Sequence, residues 1–119
     1  DTIGSDHAPH KLGEKEQPLC KCPSGVPGIE TTVPLMITAW QNGRISLPRL
    51  VELLHVNPHK IFNLSPNDDL VLIDIVNKQI LRDENMATKC KWTPFVGLEL
   101  TGFPRYVYTQ QRLIDCDKL

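Results

Sequence analysis

The feature that most limits how this chain can fold is the stretch from Asp6 to Glu30, which has neither helical nor strand periodicity. It runs to about 25 residues, whereas structureless loops beyond ~12–15 are uncommon in compact domains and tend to be functional. Pro9, Pro18, Pro23 and Pro27 stiffen it, so it reads as a long rigid loop and not as a linker. Gly25-Val26-Pro27-Gly28 closes it with a turn signal. Ahead of it stands only Asp1-Thr2-Ile3-Gly4-Ser5, short and apolar-centred, which reads as the tail of a strand. That strand has no neighbour nearby in sequence, so the chain makes a poor self-contained fold.

Beyond the loop, a helix is expected with Thr31 or Thr32 as its cap, Pro34 in its first turn and Val33, Met36, Ile37 and Trp40 at helical spacing. Gly43 closes it. A second helix begins after Ser46, with Pro48 in its first turn and Leu47, Leu50, Val51 and Leu54 on one face. Asn57-Pro58 is expected to stop it, with Lys60-Ile61-Phe62 as one further turn. Ser65-Pro66-Asn67-Asp68 marks a boundary between residues 1–65 and 66–119. After it, Leu70 to Val76 is a β-branched run typical of a strand, and Lys78 to Leu81 suggests another. Arg105 to Thr109 and Leu113-Ile114 flank Gln110-Gln111 as a hairpin with Pro104 at its entrance. The order is α/β: strand, long loop, two helices, short strands.

A chain of 119 residues matches one domain and falls far short of the ~250 that a closed (β/α)₈ barrel needs. Thirteen basic and fourteen acidic residues give a net charge of −1 with no block of one sign, which excludes a nucleic-acid footprint or a polybasic membrane patch. No apolar run approaches the ~18 residues of a membrane span, and the first residues do not form a signal peptide. The four cysteines, Cys20, Cys22, Cys90 and Cys116, are too unevenly placed for a secreted disulfide framework. A cytoplasmic protein with reduced thiols is expected.

The chemistry concentrates in Ser5-Asp6-His7-Ala8-Pro9-His10. An aspartate leaving a strand for a long loop is where barrel active sites gather. It can ligate a divalent metal and shuttle a proton to and from a metal-bound water; it can equally be a turn or N-cap residue. His7 and His10 form an H-x-x-H pair that, with Cys20 and Cys22, makes a nominal His₂Cys₂ zinc set. Cys-x-Cys is tighter than ordinary zinc-ligand spacing, and Pro9 restricts convergence of the two histidines. His55 and His59 flank the Asn57-Pro58 break and read as surface or boundary residues.

The run Ser5 to His10, followed in order by Gly25 to Thr31, Pro34-Leu35-Met36, Gly43 to Leu47, Asn57-Pro58 with Lys60-Ile61-Phe62, Lys89 to Phe95 and Glu99 to Gly102, resembles the C-terminal part of dihydroorotase, a cyclic amidohydrolase. Dihydropyrimidinases and allantoinases share the Ser-Asp-His start but typically lack the second histidine, where His10 stands. The resemblance implies a distorted (β/α)₈ barrel. One or two zinc ions would be held by histidines of early and middle strands and often a carboxylated lysine. Its reaction is the reversible opening of L-dihydroorotate to N-carbamoyl-L-aspartate in pyrimidine biosynthesis.

On that resemblance Asp6 is both metal ligand and catalytic proton carrier. His10 binds the substrate carboxylate, and the Ser24–Gly25 backbone hydrogen-bonds the substrate ring. Cys20 and Cys22 are loop variation. The chain would be the last strand, active-site loop and helices of the barrel (residues 1–65), followed by strands of a small β-sandwich subdomain (residues 66–119). Most metal ligands have no counterpart in it, so the chain alone is expected to be inactive. Implied partners are the rest of the barrel, a second copy in a homo-oligomer, and aspartate carbamoyltransferase. Two rivals stand beside this: a non-catalytic homologue serving as structural partner of that transferase, and an independent zinc module built on His7, His10, Cys20 and Cys22.

Overall fold

A computed structural model describes residues 1–118. The elements in order are α1 (Leu12–Lys15), α2 (Ile29–Gln41), α3 (Leu47–Val51), a π-helical turn (Glu52–Val56), α4 (Asn57–Ile61), β1 (Leu70–Asp74), β2 (Gln79–Ile80), β3 (Glu99–Leu100), β4 (Phe103–Thr109) and β5 (Arg112–Asp115).

The expected first strand does not form. Among the described residues no strand runs beside Asp1–Ser5, and its backbone is tied across the fold by Ile3 N–H donating to the Leu53 carbonyl at 3.3 Å. A strand exists only through its ladder, so a segment without a neighbour stays irregular.

Helix α2 starts earlier than expected, capped by Gly28. The Thr31 and Thr32 hydroxyls donate back to the Gly28 carbonyl at 3.2 and 2.9 Å, tightening the first turn instead of capping it. Pro34 therefore lies inside the helix, fully buried beside Thr31. Ser46 caps α3 as expected, its Oγ accepting from Arg49 N at 3.3 Å. Of the apolar residues assigned there to one face, Leu50 is buried, whereas Leu47 and Val51 are exposed.

Asn57-Pro58 does not stop the helix. Pro58 has no N–H to continue an α ladder, and the chain answers by widening one turn: Asn57 N–H donates to the Glu52 carbonyl, five residues back. Pro58 then falls in the first turn of α4, where no N–H is needed.

In the second half, β1, β4 and β5 form an antiparallel sheet with β4 central, and β2 pairs with β3. The turn at Gln110-Gln111 appears as read from the sequence. Both residues are left-handed, at φ 48° and 61°, the conformation that two-residue hairpins favour. Pro104 is not at the hairpin entrance but within β4, opposite Ile73, where the register shifts because Arg105 of β4 is an extra residue between the Leu72–Tyr106 and Ile73–Pro104 pairs. Strand β1 ends at Asp74, short of Val76. The Asp74 carboxylate accepts from the Asn77 side chain at 2.7 Å and from the backbone N–H groups of Asn77 and Val76 at 3.0 and 2.9 Å, which turns the chain. Those donors, the Asn77 amide first, pull its pKa from the usual 3.8 to about 2. The described strands make these two small sheets and no closed barrel.

Leu81, Met86 and Leu100 form the buried core against Leu35, Phe95 and Phe103, which joins α2 to the strands. At the same seam Thr101 N donates to Thr38 Oγ1 at 3.0 Å, and Gln41 Nε2 to the Ile75 carbonyl at 2.6 Å. Gly102, at φ +89°, passes so close to α2 that a Cβ would sit 2.3 Å from Ile37 Cβ. Much surface stays open. The accessible area is 8695 Å², against ~6500 Å² for a monomer of this mass. The radius of gyration is 15.8 Å, against ~13.5 Å for a compact domain of this length. Leu19, Phe62, Leu70, Val76 and Leu113 all lie exposed.

Candidate functional site

The two loop segments that the sequence reading singled out lie side by side. Ala8 N–H donates to the Val26 carbonyl at 3.1 Å, and His7 pairs with Val26 in an isolated parallel bridge. Glycine makes this approach possible: a Cβ on Gly25, at φ +93°, would meet Ala8 Cβ at 2.4 Å and the Ala8 carbonyl at 3.2 Å. Asp6 stands at the corner where the chain enters this pairing, left-handed at φ 44° and exposed. Aspartate is among the few residues that tolerate that conformation. Ser24 is exposed beside Gly25.

His10 sits four residues after Asp6, its side chain 35% exposed, with Nδ1 3.7 Å from Glu14 Oε2. The same carboxylate oxygen accepts from Lys11 N at 2.8 Å and so starts α1. The His10 carbonyl accepts from the indole N–H of buried Trp92 at 2.7 Å. Glu30, at the start of α2, accepts from the backbone N–H groups of Ala87 and Thr88 at 2.9 and 3.1 Å. Asp83 accepts from Thr93 N at 2.9 Å. Trp92 and Glu30 thus fasten the loop around His10 and the α2 N-terminus to the segment from Met86 to Thr93. Both lie in stretches that carry the family resemblance. The separation between partners, 82 residues for Trp92 and His10, kept those roles out of reach of local pattern.

His7 takes no part in a histidine pair. Its Nδ1 accepts from the backbone N–H groups of Gly28 and Ile29 at 3.2 and 3.3 Å, satisfying donors at the α2 N-terminus. Cys22 Sγ donates to the Lys15 carbonyl at 3.3 Å, Cys20 is exposed, and both are free thiols. The His₂Cys₂ set is therefore not assembled. Among the described residues no group of three or more His, Cys, Asp or Glu side chains converges. Zinc wants about four ligands. With Asp6 as the one candidate oxygen donor, these residues do not by themselves fit the ion.

His7 and His10 border a groove of about 1200 Å³, walled also by Ile29, Val33, Ile80 and Met86. Asp6, Ser24 and Gly25 are not part of its wall. The structure thus brings together the segments bearing the four expected residues but does not enclose them in one cavity. Among the described residues no helix is long and apolar enough to cross a membrane.

No protein-family model matches the chain. It is 43% identical over 103 residues to Multifunctional protein pyr1-3 of Dictyostelium discoideum, a match covering 86% of this chain and 4% of that protein. It is 39% identical over 111 residues to Dihydroorotase of Methanosphaera stadtmanae, covering 86% of this chain and 26% of the relative. Among solved structures, L-hydantoinase (dihydropyrimidinase) from Arthrobacter aurescens matches with a TM-score of 0.87 at 31% identity, over 97% of this chain and 28% of that one. The inactive dihydroorotase-like domain of the Chaetomium thermophilum CAD-like multifunctional protein matches with a TM-score of 0.65 at 30% identity, over 73% of this chain and 25% of that one. The chain spans about a quarter of the length of the dihydroorotase it matches. Homology in sequence and structure, confined to a partial, C-terminal-sized region of the full-length relatives, places the chain in the dihydroorotase/amidohydrolase family.

Proposed function

We propose that this chain is the C-terminal part of a zinc-dependent dihydroorotase that interconverts L-dihydroorotate and N-carbamoyl-L-aspartate in the cytoplasm. Residues 1–65 would complete the barrel, and residues 66–119 would form its small β-rich subdomain. The observation that carries this is the pairing of the Asp6–His10 segment with Ser24–Gly25 through the Ala8–Val26 hydrogen bond, in a chain 39% identical to a dihydroorotase.

In the complete enzyme, Asp6 would be one oxygen donor to the zinc, and its carboxylate would serve as the base that takes a proton and returns it to the leaving ring nitrogen. Its exposure on a left-handed corner suits a group that must reach into a site completed by other parts of the protein. His10, steadied by Glu14, offers an imidazole to the substrate carboxylate. The main chain at Ser24–Gly25 discriminates the planar ureide without adding charge. The metal would supply Lewis-acid polarisation of the amide carbonyl.

The excess surface of ~2200 Å² over a compact monomer supports burial against the remainder of the barrel. Asp1–Ser5 would there find the ladder partners it lacks among the described residues. The likeness to multifunctional proteins supports association with aspartate carbamoyltransferase or with a second copy.

A second reading, a non-catalytic homologue with a structural role, is favoured by the likeness to an inactive dihydroorotase-like domain. The presence of both Asp6 and His10 favours the enzyme. Assaying the complete zinc-loaded protein for L-dihydroorotate hydrolysis separates them: turnover supports the enzyme, and its absence supports the structural homologue.

A further inference from the structure

The proposed function leaves unexplained how an exposed, glycine-bearing stretch of main chain is held rigid enough to recognise a small ring. Lys15, the last residue of α1, answers this. Its Nζ donates to the Pro23 carbonyl at 2.6 Å and the Gly25 carbonyl at 3.0 Å, so that one ammonium spans both sides of Ser24. Lys15 is half-buried and forms no ion pair among the described residues. A partly desolvated ammonium bound to two neutral carbonyls makes strong charge-assisted bonds. The Lys15 main chain adds a third tie, its carbonyl accepting from Cys22 Sγ at 3.3 Å.

The residue before it, Glu14, faces His10 from the same helix. One turn of helix thus sits between the two parts proposed to touch substrate and fixes their spacing. The opposite side of the Gly25 stretch has no room to adjust, because Gly25 already lies against Ala8. The loop is pinned between Ala8 on one side and the Lys15 ammonium on the other.

We infer that Lys15 is a positioning residue for substrate recognition: it clamps the Ser24–Gly25 main chain in the orientation that binds the ring. This rests on the proposed role of Ser24–Gly25 as a ring-binding backbone pair. Main-chain hydrogen bonds to the ureide are formed in the ground state and kept in the transition state, so loosening them raises KM and leaves kcat nearly unchanged.

The test uses the complete zinc-loaded protein with L-dihydroorotate. Lys15→Met removes the donors and keeps an unbranched chain of similar length; Lys15→Arg keeps the positive charge and several N–H donors. Lys15→Met is expected to raise KM about tenfold or more with kcat within about threefold, and Lys15→Arg to restore KM to within about threefold. A merely structural lysine would lose active protein without that split. Amide hydrogen exchange at Ala8, whose N–H bonds to Val26, is read on the same preparations and does not depend on turnover. Faster exchange in Lys15→Met, recovered in Lys15→Arg, supports the clamp. Unchanged exchange overturns it, as does an unchanged KM in an active enzyme. If wild type proves inactive toward dihydroorotate, the functional reading fails, and the exchange comparison alone decides the clamp.

Discussion

Gly102→Ala is the sharpest probe of how the helices are joined to the strands. Gly102 carries φ +89°, and a Cβ built there would lie 2.3 Å from Ile37 Cβ and 2.7 and 2.8 Å from Ile37 Cγ2 and Cγ1. The nearest atom is a Cβ fixed to helix backbone, so side-chain rotation cannot relieve the contact. The link between β3 and β4 must move away from α2, straining the Gly102 N–H bond to the Asp74 carbonyl and the Thr101–Thr38 hydrogen bonds. A left-handed alanine costs ~1–2 kcal/mol, and overpacking adds ~1–3 kcal/mol.

The total of about 2–5 kcal/mol corresponds to a fall of roughly 1–2.5 M in the urea midpoint, at a slope of ~2 kcal/mol per molar. Gly43→Ala is the control: φ is +70°, but nothing lies within 4 Å, so it bears the backbone cost alone. Trimming Ile37 to alanine should fail to rescue Gly102→Ala, because the offending Cβ remains. The assay is urea denaturation of the protein carrying each change. A Gly102→Ala midpoint no lower than that of Gly43→Ala would refute the reasoning.

His10→Ala in the complete enzyme should lower kcat/KM by about tenfold to a hundredfold, the value of a ~1.5–3 kcal/mol charge-assisted bond, with zinc content unchanged. Normal kinetics with full zinc would remove His10 from the site. The 119-residue chain by itself should show no turnover of dihydroorotate above the zinc-only background, since its described residues bring no three metal ligands together. Activity in purified chain would refute the view of it as part of a larger site. Asp74 has its carboxyl held near 2 by Asn77 and Val76 donors, so its stabilisation is complete above 3.8 and is lost as pH falls through about 2. Asp74→Asn should therefore be less stable than wild type above pH 3.8 and converge with it toward pH 2 in denaturant midpoints, whereas a pH-independent difference would contradict the assignment.

Features governed by neighbours in sequence were legible. Ser46 as a cap, the helix through Ile37 and the Gln110-Gln111 hairpin all follow from local backbone rules. Features governed by distant partners were not. Asp1–Ser5 has strand-like composition but no ladder, and the two-residue β3 is too short to leave a period in the sequence. Pro58 looks like a helix stop, yet one widened turn carries the helix past it. In the site, the segments around Asp6, His10, Ser24 and Gly25 stood out by residue type and by resemblance, whereas what holds them did not. The Lys15 clamp needs the fold of the loop, and the Trp92 bond to His10 joins opposite ends of the chain. His7 drew attention as a ligand because histidine is a common one, but it satisfies the α2 N-terminus instead.

The most direct test of the central claim is turnover of the complete zinc-loaded protein with Asp6→Asn, measured in both directions on L-dihydroorotate and N-carbamoyl-L-aspartate. An amide keeps the size of the side chain but cannot carry the proton. The account predicts an active wild type and a variant without detectable turnover in either direction. A variant retaining more than a few per cent of wild-type activity would show that another group is the base and would contradict it.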